Sequence, residues 1–161
     1  MVKVGDKVPH ATLRGMGPEG PKAVTTEELF APGKKVVAFA LPGAFTPTCS
    51  AKHVPGFVTS FDKIKAKGVD TIACISVNDA FVMGAWGRDQ RAGDKVRMLA
   101  DGSAEYTKAL GLQLDLTARG MGVRCQRFSM LVDDGVVKAL NIEAPGKFEV
   151  SGGDAMLAQL G

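Results

Sequence analysis

Two stretches of this chain, 35–41 (KVVAFAL) and 70–77 (DTIACISV), are apolar almost throughout. Each is too short for a core helix and is bounded by turn residues, Gly33 and Pro42 around the first and Asn78-Asp79 after the second. Such runs predict central strands buried on both faces. Between them, 47–67 predicts a helix: Phe57, Phe61 and Ile64 recur at helical spacing and Gly68 suits the position after its end. Pro55 lies inside it, so a kink is expected there. Strand, helix and strand form a right-handed βαβ unit with parallel strands.

The rest of the pattern extends this unit. A helix is expected from Asp79 through Trp86, a short strand over 96–100, and a helix over 104–110 ended by Gly111. Residues 127–132 and 136–142 flank Asp133-Asp134-Gly135, which predicts a β-hairpin with glycine where a positive φ is needed. A last helix is expected over 154–160. This order predicts an α/β chain with a thioredoxin-like fold, a central mixed β-sheet flanked by helices. No repeat or linker interrupts it, so one domain over 1–161 is expected.

Composition narrows the function classes. Twenty basic and 17 acidic side chains are dispersed along the chain, and aromatic residues make up 6%. Neither a basic face nor stacking platforms for bases are evident, so nucleic acid is not an expected partner. No apolar run reaches membrane-span length. Charges fall within the first six residues and no secretory signal is visible. Three cysteines make no disulfide framework, and together these points place the protein in the cytoplasm as an expectation.

Chemistry concentrates at Pro42-Gly43-Ala44-Phe45-Thr46-Pro47-Thr48-Cys49-Ser50, where the first buried strand gives way to its helix. The carboxyl ends of such strands commonly carry sites. Thr46 then Pro47 reads as N-cap then first helical residue, which puts Cys49 in the first turn. Unpaired amides there favour an anion, hence the thiolate over the thiol. A thiolate attacking a peroxide gives a sulfenic acid. Thr46 supplies a hydroxyl donor nearby, and an arginine is needed for the developing charge, with Arg127 the candidate. Thr48 and Ser50 give Cys49 a polar rather than a core setting.

The other cysteines read differently. Cys74, mid-strand, is core. Cys125 is an incidental loop cysteine whose neighbours Arg124 and Arg127 favour its thiolate if it is exposed. No Cys-x-x-Cys pair and no Cys/His metal spacing occurs. His53 reads as a structural hydrogen-bonding group, His10 carries no signal, and the Gly-Met-Gly segments at 15–17 and 120–122 are not phosphate loops.

At these residues the chain resembles the peroxiredoxin family. Pro42-x-x-x-Thr46-x-x-Cys49 matches its active-site pattern. His53 with Pro55-Gly56-Phe57, the stretch 76–82, Trp86-Gly87 and Arg127-Phe128-Ser129-Met130 resemble its type II, or peroxiredoxin-V-like, subfamily. The resemblance implies that Cys49 is the peroxidatic cysteine, that Pro42 shields it, that Thr46 binds peroxide and that Arg127 activates the thiolate. It implies hydroperoxide as substrate, no cofactor and no metal, and homodimers. Some animal members carry a resolving cysteine in the loop before the last helix, where this chain has Glu149-Val150-Ser151-Gly152-Gly153. A one-cysteine cycle is therefore expected, without a resolving cysteine and with glutathione and glutaredoxin, or else thioredoxin, as reductant. Cys74 or Cys125 as internal resolver is the alternative. Two rival readings are a thiol–disulfide reductase, disfavoured by the missing second thiol, and a non-catalytic interaction or holdase module.

Overall fold

The computed structural model describes residues 1–161. Its strands are β1 (Thr12–Gly17), β2 (Gly20–Thr25), β3 (Lys35–Leu41), β4 (Thr71–Ser76), β5 (Arg97–Ala100), β6 (Gln113–Leu116), β7 (Gly122–Cys125), β8 (Phe128–Asp133) and β9 (Val136–Ile142). Its α-helices are α1 (Thr26–Leu29), α2 (Val54–Thr59), α3 (Phe61–Ala66), α4 (Ala80–Asp89), α5 (Glu105–Leu110) and α6 (Gly153–Gln159). Seven strands form one sheet in the order β2-β1-β5-β4-β3-β8-β9, while β6 and β7 pair separately. β3, β4 and β5 run parallel, and β8 is antiparallel to β3. The thioredoxin-like, mixed α/β architecture expected from the pattern is the one observed.

β3 is central and buried on both faces, for the reason its sequence suggested. Val36, Ala38 and Ala40 point into one apolar cluster, with Phe128, Met130, Tyr106 and Leu110. Val37, Phe39 and Leu41 point into the other, with Phe57, Ile64, Met83, Trp86 and Met156. Alternation along a strand puts successive side chains on opposite faces, so one apolar run serves two cores. The Phe39 and Phe57 rings stack at 4.1 Å between centroids, fixing α2 against β3. A buried aromatic pair of this kind adds about 1 kcal/mol beyond its burial.

The hairpin signal also holds. Asp133 pairs with Val136, leaving the two-residue turn Asp134-Gly135, both at positive φ (53° and 76°). Two hairpins went unread in the sequence: β1–β2, closed by Pro18-Glu19, and β6–β7. Their strands carry no sustained apolar alternation, and neither connection holds the Asn-Gly or Asp-Gly pair that marks a tight hairpin.

The helix expected over 47–67 is the main correction. It is helical from Pro47, widens to a π-turn over Cys49–His53, continues as α2, breaks at Ser60 and resumes as α3. Pro55 has no N–H to give the preceding turn. The Val54 amide instead reaches back five residues to the Cys49 carbonyl, which is the π-type bond. The expected kink thus takes the form of a widened turn that begins at Cys49, a device common at functional sites.

Candidate active site

Strand pairing builds the site. In the β3/β8 register Ala40 lies opposite Phe128. The carboxyl end of β3, which leads to Cys49, therefore meets the amino end of β8, which Arg127 precedes. Residues 78 positions apart in the chain come within bonding distance: the Arg127 Nη2 donates to the Cys49 Sγ at 3.2 Å. No carboxylate pairs with this guanidinium, since the ion pairs of the chain lie elsewhere. Its charge is left to the sulfur.

His53 holds the other arm of the fork. Arg127 Nη1 is 2.9 Å from His53 Nδ1, and His53 Nε2 is 2.9 Å from the Ser151 carbonyl. A guanidinium only donates and a carbonyl only accepts, so Nδ1 is the bare nitrogen and Nε2 carries the proton. Burial, reinforced by the Arg127 charge, lowers the His53 pKa to about 3, so the ring is neutral at physiological pH. It is a structural hydrogen-bonding group, as read from the sequence, but its partner is Arg127. Spacing on one helix gave no hint of that, because Arg127 arrives on a distant strand.

The loop before Cys49 is fixed from several sides. Asn78 Oδ1 accepts from the Ala44 amide at 2.9 Å and from Ser76 Oγ at 2.6 Å. Trp86, fully buried, donates from Nε1 to Ser50 Oγ at 2.9 Å and so ties the π-turn to α4. Arg124, not among the expected site residues, donates to the Pro42 carbonyl at 3.3 Å and the Met121 carbonyl at 2.9 Å. A Cβ on Gly43 would stand 2.8 Å from the Arg124 guanidinium, so a larger residue there would displace the end of that side chain from the Pro42 carbonyl.

Three site expectations change. Thr46 accepts the Ser50 amide at its carbonyl, as an N-cap should, but its Oγ1 donates to the Gly43 carbonyl at 2.7 Å. With its proton committed there, the hydroxyl has acceptor capacity left rather than the expected donor. Cys49 is not in a polar setting either: it is fully buried in the β3/α2/α4 cluster, because Ser50 turns to Trp86 and the sulfur packs inward beside Arg127. Cys125 is no loop residue. It ends β7, is 1% exposed, and burial pushes its thiol up to about 12 despite a hydrogen bond with Thr107. Cys74, in β4, is pushed up as well by burial and by the nearby Cys49 sulfur.

Beside Arg127 opens a cavity of about 260 Å³ lined by Pro42, Thr48, Leu114, Gln126 and the segment 143–147. A larger groove, about 560 Å³, lies between β1, β5 and α4 and shares no residue with this corner.

An arginine-paired sulfur at the start of a helix on a thioredoxin-like sheet defines a redox-type protein, and the comparisons agree. Residues 3–157 match the family model Redoxin, and the chain belongs to that family as a peroxiredoxin, a thiol peroxidase. It is similar to Peroxiredoxin-2E, chloroplastic, of Arabidopsis thaliana: 52% identical over 99% of this chain and 69% of that protein. Peroxiredoxin-2E-2, chloroplastic, of Oryza sativa is 53% identical over 99% and 72%. The solved structure of reduced Prx3 in complex with H2O2 from Vibrio vulnificus superposes with a TM-score of 0.96, 53% identical over all of both chains. The cytoplasmic placement is overturned by the plant relatives, whose names point to the plastid. Free thiols suit any reducing compartment, so the cysteine count could not separate cytosol from plastid.

Proposed function

We propose that Cys49 is the nucleophile of a one-cysteine peroxidase cycle and that Arg127, Thr46 and Pro42 form its peroxide site. The Cys49 thiolate attacks one oxygen of HO–OR; the O–O bond breaks, the sulfur takes OH as sulfenic acid, and RO⁻ leaves to be protonated. Arg127 stabilises the thiolate and then the departing oxygen. Thr46 Oγ1 accepts a hydrogen bond from the peroxide O–H, and Pro42 covers the sulfur. The observation that carries this reading is the 3.2 Å contact between a guanidinium free of acid partners and the Cys49 sulfur. A cavity of about 260 Å³ at that corner suits hydrogen peroxide and small organic hydroperoxides.

External reduction is supported by what surrounds the other sulfurs. Cys74 and Cys125 are buried and held as thiols, and Ser151 occupies the loop that carries a resolving cysteine in some family members. The sulfenic acid condenses with one external thiol to a mixed disulfide and water, and a second thiol restores Cys49. Glutathione with glutaredoxin is the reductant we favour, with thioredoxin second. One observation favours a second reading: Cys74 shares the apolar cluster of Cys49, so opening of the π-turn brings an internal thiol into play. Phe45 and Phe81, 53% and 66% exposed near the site, support a homodimer.

Peroxide consumption with each reductant tests the cycle, together with the mass of the peroxide-treated protein. Cys49→Ser abolishes turnover while Cys74→Ser and Cys125→Ser retain most of it. A Cys49–Cys74 disulfide in the treated protein, with turnover lost in Cys74→Ser, overturns the one-cysteine cycle.

A further inference from the structure

The segment between β9 and α6 is fastened at one residue. Glu143 is 6% exposed and makes no ion pair. Its carboxylate accepts from the amides of Glu149, Val150 and Ser151, at 2.8–2.9 Å, and from Ser151 Oγ at 2.7 Å. Burial raises the pKa of this carboxyl, but those donors outweigh it and hold the group below the usual carboxylate range. So many amide donors on one buried carboxylate fold residues 144–151 back as a closed strap.

The strap ends against the active corner. The carbonyl of the same Ser151 accepts from His53 Nε2, and His53 in turn accepts from Arg127. Phe148, inside the strap, packs on the His53 ring at 5.1 Å, and the Arg127 guanidinium lies 5.8 Å over its face. The Glu143 amide donates to the Arg127 carbonyl at 2.9 Å, so the backbone of Arg127 is held by the residue that ties the strap. Besides the sulfur, the guanidinium thus has its hydrogen-bond acceptor in the histidine this strap orients and its ring contact from Phe148 within the strap.

We propose that Glu143 is a positioning residue for the peroxidase reaction: by folding 144–151 it fixes the Ser151 carbonyl and Phe148, which set the tautomer of His53 and the aim of Arg127 at Cys49. The inference rests on Cys49 being the nucleophile. Partners that orient a reactive group from one step behind it commonly change activity 10–100-fold when lost.

The test is Glu143→Gln, which keeps the volume but turns an amino group toward amides that need an acceptor. We expect single-turnover oxidation by hydrogen peroxide, followed through Trp86 fluorescence, to slow by about 10-fold. Two further readouts separate positioning from a structural role. Alkylation of Cys49 by a neutral haloacetamide slows in parallel, and the nitrogen-15 signals of His53 lose the single Nε2–H tautomer of the wild type. Ser151→Ala, which keeps the carbonyl, retains most of the rate. If Glu143→Gln does not fold, Phe148→Leu replaces it, with a loss of about 2–5-fold expected from removing the ring under the guanidinium. Wild-type alkylation and an unchanged His53 tautomer in the variant overturn the proposal. If the wild type itself leaves peroxide untouched, the peroxidase assignment of Cys49 falls, whereas the alkylation and nitrogen-15 readouts still decide whether the strap aims Arg127.

Discussion

Cys49 and Cys125 are equally hidden from water, yet their surroundings prepare them for opposite fates. Both are within 1% of full burial, and both lie close in space or sequence to arginines. Cys49 sits in the cluster on one face of the sheet, at the opening of a π-turn, with the Arg127 Nη2 at 3.2 Å. Cys125 sits in the cluster on the other face, beside Tyr106 and Asp101, and its thiol is pushed up to about 12, chiefly by burial. Arg124 and Arg127 flank it in the chain, but neither serves it. Arg124, one residue before Cys125 in β7, points to the opposite face and donates to the Pro42 carbonyl, while Arg127, past the end of that strand, reaches Cys49. On the proposed cycle, burial alone does not make a cysteine inert, and a neighbouring arginine in sequence does not make it reactive. Which dipoles and charges face the sulfur decides the matter.

The contrast breaks most sharply at Arg127. Replacing it with glutamine removes the charge that distinguishes the two sulfurs while keeping a hydrogen-bond donor. Oxidation of Cys49 by hydrogen peroxide slows by about 100-fold, the scale of one lost preorganised donor, with thermal unfolding little changed. Stopped-flow measurement of the variant checks this, and a loss of less than a few-fold would separate the arginine from the chemistry.

A smaller effect comes from His53, whose pKa is lowered from 6.5 to about 3 by burial and by Arg127. Between those values the unfolded chain binds a proton that the native ring refuses. Stability contributed by the neutral ring is thus complete above about pH 6.5 and is lost as the pH falls toward 3, by up to about 1.4 kcal/mol per pH unit. His53→Asn removes this contribution, so the wild-type advantage in denaturant midpoint at pH 7 narrows at pH 5. An advantage that stays constant over that window would mean the ring is charged in the native state.

Local signals in the chain announced Cys49 and its loop, because Pro42, Thr46 and Pro47 act within one strand end and one helical turn. Arg127 was legible at one remove, since the Asp134-Gly135 turn sets the hairpin that carries it. His53 was seen only as a hydrogen-bonding group, and Arg124 and Glu143 not at all in their present roles. Their partners come from register between strands, and no short-range pattern encodes that. The N-terminal hairpin was missed for another reason: Arg14, Gly15 and Met16 in β1 give no apolar rhythm, and Pro18-Glu19 is not one of the marked hairpin turns. The polar setting assigned to Cys49 failed because Thr48 and Ser50 describe the neighbours of the sulfur in the chain, not its neighbours in space.

Trapping the oxidised sulfur tests the central claim most directly. The protein is mixed with substoichiometric hydrogen peroxide in the presence of a carbon nucleophile selective for sulfenic acid, then digested and mapped by mass spectrometry. The adduct falls on Cys49, with Cys74 and Cys125 recovered as free thiols. An adduct on either of those two, or none on Cys49 while peroxide is still consumed, would contradict the account.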